Sequence, residues 1–194
     1  MKGRIKEITD VEEFKRVYKV FEGKPYEELY TPEEVEEFFE DYRKNGWILG
    51  AYTSEGCVGL ISLQRGVEKD QPVDFGDEKV LYLADVAVLE PYRKMGLGRM
   101  LMSLAVLSAK GLGCDRLYMR TLKEGSMSKG IAEKLGFKQI QGLIQYVKRK
   151  RIDGTTTAKP NIFLDLDVNN LDERTLRECM KVVKPSRETI REIR

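Results

Sequence analysis

Val80-Leu81-Tyr82-Leu83-Ala84-Asp85-Val86-Ala87-Val88 runs through Leu89-Glu90-Pro91-Tyr92 into Arg93-Lys94-Met95-Gly96-Leu97-Gly98-Arg99. The first nine residues are almost wholly apolar, as a central strand covered on both faces must be, and Asp85 is their one charge. From Arg99 to about Lys110 the apolar residues Met100, Leu101, Leu104, Val106, Leu107 and Ala109 form a helix that ends at Gly111 and Gly113. A glycine-bearing turn between strand and helix lets successive backbone N–H groups point into one concave site at the positive end of a helix dipole. That geometry binds phosphate oxygens. A dinucleotide fingerprint would need glycine where Leu101 stands, and no Gly-Lys-Ser or Gly-Lys-Thr of a Walker loop occurs. A tight turn that uses glycine for steric reasons alone is the remaining alternative.

Working outward, Arg4 to Ile8 alternates as a short strand, and Asp10 with Glu13 is a capping-box signature for a helix through about Phe21. Thr31, Pro32 and Glu34 open a second helix that stops before Gly46 and turns Val35, Phe38, Phe39 and Tyr42 inward. Trp47 to Tyr52 and Val58 to Leu63 read as a hairpin, and a polar loop follows from Gly66 to Glu78. After the glycine turn and its helix come a strand from Arg116 to Thr121, a short helix from Ser126 to Leu135, and a strand from about Leu143 to Lys148. Lys148 to Arg151 and Asp153 to Thr157 read as a surface turn before a strand from Asn161 to Val168. A last helix from Asp172 to Val182 presents Leu176, Cys179, Met180 and Val183 as its apolar side.

The 194 residues suit one generous domain with an added segment. No run approaches the roughly 20 apolar residues of a membrane span, and the first residues lack the apolar core of a signal peptide, so a soluble cytoplasmic protein without a membrane partner is expected. The absence of histidine excludes Ser-His and Cys-His mechanisms and histidine-ligated metals. Cys57, Cys114 and Cys179 are odd in number and far apart, which suggests buried thiols rather than a disulfide or zinc framework, and no metal is expected. The formal charge of +2 hides an asymmetry: residues 1–79 hold 12 Lys and Arg against 19 Asp and Glu, and residues 80–194 hold 22 against 13. A phosphate-bearing ligand suits the basic part and a cationic partner the acidic one. The Lys148 to Arg151 cluster lacks an accompanying RNA-binding pattern, so a nucleic-acid partner is not expected.

The stretch Asp85 to Arg99 resembles the coenzyme A motif of the GNAT superfamily of N-acetyltransferases, in which a strand ending in Val is followed by Pro-x-x-Arg or Gln and then x-x-Gly-x-Gly or Ala. The element order over residues 4–148 and the segment Lys134-Leu135-Gly136-Phe137 resemble that family as well. The resemblance implies an α/β chain with a mixed, mostly antiparallel sheet flanked by helices. The GNAT-like domain would span residues 1–148, and a strand-helix extension, residues 149–194, would pack on the same domain or on a partner subunit in a homodimer. It implies acetyl-CoA as donor, with its pyrophosphate on the N–H groups of Arg93, Lys94, Met95, Gly96, Leu97, Gly98 and Arg99. Its pantetheine arm would pair with Val86, Ala87 and Val88, and its thioester carbonyl would lie near the Val86 N–H, which would hold the oxyanion as an amine attacks directly.

The proton path is less legible. An amine of pKa about 10 must lose a proton before attack. Asp85 is the first candidate base, against a purely structural pairing of the same carboxylate. Tyr82 and Ser126 are further catalytic candidates, with Tyr118, Cys114 and Ser128 as alternatives that also suit packing or capping. Where family members often carry a proton-donating tyrosine this chain has Ala132, and Gly125 stands where asparagine is frequent. A catalytically weak acyl-CoA-binding sensor or interaction module is therefore the rival reading. In the family the first helices line the acceptor side, so Glu27, Glu28, Glu33, Glu34, Glu36 and Glu37 would favour a cationic acceptor such as a small amine, a polyamine or a protein amine, the alternative being a solvated acidic helix face.

Overall fold

A computed structural model describes residues 4–23, 26–124 and 126–183. Strands β1 (Arg4–Glu7), β2 (Gly46–Thr53), β3 (Gly56–Arg65), β4 (Val80–Val88), β5 (Arg116–Leu122), β6 (Lys138–Lys150) and β7 (Thr156–Asp167) form one sheet in the order β1-β2-β3-β4-β5-β7-β6. Only β4 and β5 pair in parallel, the helix α3 (Leu97–Gly111) crossing between them. The sheet is thus mixed and mostly antiparallel, as the resemblance implies.

Helices α1 (Val11–Tyr18) and α2 (Pro32–Asn45) cover one face, where Phe14, Val17, Phe39, Ile48 and Leu60 share a core. On the other face α3, with α5 (Glu173–Val183) and α4 (Met127–Lys134) beside it, packs Leu101, Leu104 and Val106 on Leu49, Ile61, Leu83 and Leu117. Thr31 forms a complete capping box with Glu34. Asp10 caps α1 by accepting from the Glu12 N–H, but the Glu13 carboxylate accepts from the Tyr52 hydroxyl instead of closing a box. Tertiary pairing outcompetes the local motif there. The three cysteines are free and buried. On α5, Cys179 and Val183 are buried, whereas Met180 points outward.

β6 and β7 are longer than the sequence predicts. β6 is an edge strand with one exposed side, so its polar run carries little apolar signal. Pro160 lies within β7 at the point where β5 has run out and only β6 pairs with it. The expected boundary at residue 148 falls inside β6, and β7 lies between β5 and β6. Among the described residues no helix is long and apolar enough to cross a membrane.

Two irregularities of β4 shape the site. It pairs with β5 only from Val80 to Leu83, after which the strands separate. It also carries one extra residue against β3, because Leu63 faces Leu83 whereas Ser62 faces Asp85. Strict alternation would place Asp85 with Leu81 and Leu83 under α3. The bulge at Ala84 moves Asp85 to the face of Tyr82 and sends Val86 and Val88 to the α3 face.

Candidate active site

Beyond the bulge the Leu89 N–H donates to the Val58 carbonyl at 2.9 Å. Antiparallel alternation then turns the backbone of Asp85 and Ala87 toward β3, and that of Val86 and Val88 into the gap left by β5. The chain continues through a single turn of 3-10 helix at Glu90–Tyr92 and reverses with left-handed backbone at Lys94 (φ 62°) and Gly96 (φ 87°). Glycine removes the cost of that conformation at position 96. Among the described residues the N–H groups from Lys94 to Arg99 donate to no protein acceptor, and Met100 makes the first bond of α3, to the Gly96 carbonyl. The turn is a nest of free donors at a helix start.

A slot of about 70 Å³ runs from this turn between Val86, Ala87, Val88, Gly98, Met102 and Ile131. The Arg93 guanidinium borders it and donates from Nε to the Val88 carbonyl at 3.1 Å. The other side chains of the predicted phosphate turn point elsewhere: Leu97 is buried, Lys94 and Met95 are exposed, and Arg99 pairs with Glu178 of α5 at 2.9 Å.

On the opposite face of β4 lies a cavity of about 500 Å³, walled by α2, the segment before it, β5 and β6. Asp85 lies in its wall, with Oδ2 shut off from solvent and without a hydrogen-bond partner. Burial pushes its carboxyl up to about 6, against the opposing pull of the Tyr42 hydroxyl and the Arg149 guanidinium. Tyr82 lines the cavity stacked on Tyr118, with its hydroxyl pushed up to about 12 by burial. Glu28, buried in the wall, accepts from the Tyr30 hydroxyl and pairs with Arg149 at 3.3 Å. A backbone bridge between Glu28 and Arg151, a Leu29 N–H to Lys150 carbonyl bond of 2.8 Å and an ion pair between Glu27 and Arg151 strap the segment before α2 onto β6. Of the cluster from Lys148 to Arg151, read from sequence as a surface turn, Lys148 and Arg149 line this wall, and Lys150 and Arg151 hold the strap.

Tyr26, Val86 and Ser128 line both the slot and the cavity. Ser128 belongs to a triangle of hydroxyls with Ser126 at 2.7 Å and Thr121 at 3.1 Å, and Thr121 and Ser126 are 2.6 Å apart. Ser126 also caps α4 and borders neither space itself. Ala132 is fully buried in the core, and Gly125 lies outside the described residues. Of the glutamates singled out in the sequence only Glu28 reaches the cavity. Glu34 closes the cap of α2, Glu36 pairs with Lys15, and Glu33 and Glu37 are exposed. Asp41, Glu68 and Asp70 join Asp85 and Glu28 in the wall instead.

The profile of the acetyltransferase (GNAT) family matches residues 12–137, more than half of the chain. The chain belongs to the GNAT acetyltransferase family. No curated sequence matches it. Similar solved GNAT structures include Arabidopsis thaliana NAA60 in complex with acetyl-CoA, 16% identical with a TM-score of 0.67 over 87% of this chain and 100% of that one. The ribosomal-protein-S18-alanine N-acetyltransferase of Escherichia coli is 15% identical, with a TM-score of 0.63 over 89% and 97%. A chain of the NatC complex bound to Gag peptide and CoA is 18% identical, with a TM-score of 0.62 over 86% and 99%. At such identities the likeness concerns the GNAT fold.

Sequence reasoning missed Tyr26, Gln71, Arg120 and Arg149 as cavity residues. None sits in a motif. Arg149 carried the one available signal, as part of a basic run just after a predicted strand.

Proposed function

We propose that the protein transfers an acetyl group from acetyl-CoA to a primary amine by direct attack. The observation that carries this reading is the place of Asp85 and Val86, adjacent on a bulged strand where slot and cavity meet. The free N–H groups from Lys94 to Arg99 fit a pyrophosphate, with Arg93 at its side, and the freed edge at Val86 and Val88 fits the amide-bearing pantetheine arm.

Acetyl-CoA supplies a thioester: the amine nitrogen bonds to its carbonyl carbon, the C–S bond breaks, and the sulfur leaves as thiolate. The Val86 N–H donates to the carbonyl oxygen as that oxygen gains charge. Asp85 takes the proton that the ammonium must lose. Burial narrows the gap between the two groups, since it raises a carboxyl and lowers an ammonium. Tyr26 and Ser128 are the hydroxyls at the junction; one of them gives its proton to the departing sulfur and regains one from the nitrogen, which sheds its second proton as the amide forms. Burial raises the Tyr26 phenol, which keeps it protonated for that role. Tyr26, from the segment before α2, takes the part of the tyrosine whose position Ala132 occupies. The protonated amine is received by a wall that carries Glu28, Asp41, Glu68, Asp70 and Asp85. The segment after residue 148 serves the same site, because Arg149 and Lys159 line the cavity.

Ala132 favours a second reading, an acyl-CoA-binding module without turnover. Incubation of the protein with acetyl-CoA and a panel of amines, followed by thiol release and mass spectrometry, separates the two. One acetylated amine per released thiol is expected. Donor binding with no thiol release for any amine would sink the transferase reading.

A further inference from the structure

In the wall of the cavity, on β5 and on the β3–β4 loop, two side chains keep hydrogen-bonding groups that the protein does not use. Arg120 follows the last β4–β5 pair, Leu83 with Met119, and stands on the same face of β5 as Arg116. Arg116 is held by Glu78 at 2.8 Å and Asp165 at 3.0 Å. Arg120 donates to the neutral Gln145 Oε1 at 3.0 Å and, among the described residues, ion-pairs with no carboxylate. Gln145 is itself fixed by donating to the Asp70 carbonyl at 2.7 Å, so the guanidinium is oriented while most of its five N–H donors stay uncommitted. Gln71, on the polar loop between β3 and β4, is only 7% exposed; the Tyr82 hydroxyl lies beside its amide, but neither the amide nitrogen nor the amide oxygen completes a hydrogen bond of good geometry. Both residues border the cavity.

A buried amide left without partners is destabilising, and a planar guanidinium matches a carboxylate in two parallel bonds. We propose that the Arg120 and Gln71 part of the cavity wall binds a carboxylate carried by the amine itself, so that the acceptor is a zwitterion of amino-acid type. This rests on the transferase reading above and narrows its substrate class. The acceptor's ammonium faces Asp85 on one separating strand and its carboxylate faces Arg120 on the other. A polyamine of similar length would place a second cation against a guanidinium that stays charged at any working pH, which selects against it. Burial, then the Asp41 charge, raise the Glu68 carboxyl against the pull of Arg120, so the acidic neighbour within reach of the guanidinium is one whose charge its surroundings disfavour. A space of about 500 Å³ has the size of a small-molecule site.

The test is thiol release from acetyl-CoA with lysine, ornithine, glutamate and phenylalanine, each compared with its decarboxylated amine and its methyl ester. At least one free amino acid should exceed both derivatives tenfold or more in kcat/KM. Arg120→Met should collapse that ratio toward one, acting mainly on KM. Calorimetric binding of the same compounds to the coenzyme A-loaded protein gives a readout independent of turnover. Carboxylate-dependent binding lost in Arg120→Met upholds the anchor even if no amine is acetylated, in which case the transferase reading alone fails. Gln71→Leu, which replaces an unpartnered amide by an apolar group, should raise Tm while weakening the amino acid tenfold. Decarboxylated amines or esters used or bound as well as the acids, or Arg120→Met lowering all acceptors equally, would overturn the proposal.

Discussion

Around the turn and slot beside Gly98 the hydrogen-bonding groups are mostly main chain and come from one continuous stretch, Val86 to Arg99, with Val20, Tyr26, Met102, Ser128 and Ile131 closing the slot's other sides. Around the cavity they are side chains, drawn from the segment before α2, from α2, from the β3–β4 loop, and from β4, β5, β6 and β7. The difference teaches how one fold keeps a donor and changes acceptors. Backbone N–H groups do not depend on side-chain identity, so the slot tolerates an exposed Lys94 and Met95, a buried Leu97, and an Arg99 taken up by α5. The cavity is specified residue by residue, and each charge in its wall biases what enters.

Substitutions break the comparison in predictable order. Among substitutions at the slot, the largest effect is expected from Gly98→Val, because an isopropyl group at the slot wall fills a space of only about 70 Å³. The Cβ itself meets just Ile131 Cδ1 at 3.4 Å, so the fold survives with little change in Tm. Displacing the donor should cost about 10²-fold in kcat/KM for acetyl-CoA. Near-wild-type donor kinetics would mean that the slot is not used. A smaller effect, about tenfold in kcat, is expected from Tyr26→Phe, since a thiol of pKa about 8.5 leaves with little help. Ser128→Ala, measured alongside by pre-steady-state kinetics, shows which hydroxyl donates: the donor's loss slows thiol release, and the other's does not.

The same contrast explains what could be read from the sequence. The slot was legible because its determinants are consecutive: an apolar run, Pro91, Arg93 and two glycines give a strand, a turn and a helix start by local rules. Asp85 was legible as an odd charge, but its direction was not. The sequence around Ala84 gives no sign of a bulge, and without one Asp85 would point into the α3 core. The cavity was largely illegible, since Tyr26, Gln71, Arg120 and Arg149 meet only through long-range pairing. The acidic run of α2 misled because charge density marks a solvated helix face as readily as a binding wall: Glu33 and Glu37 point outward, while Asp41 on the same helix does not.

The central claim is that Asp85, at the meeting of slot and cavity, accepts the proton of the attacking amine. Single-turnover transfer measured against pH at saturating donor tests it most directly. Asp85 is a base only when ionised, so the rate should rise through a limb near pH 6 in the wild type, set by a carboxyl pushed up to about 6. In Asp85→Asn that limb should vanish and the neutral-pH rate should fall by about 10²-fold or more. An Asp85→Asn protein that keeps both the limb and the rate would contradict the account.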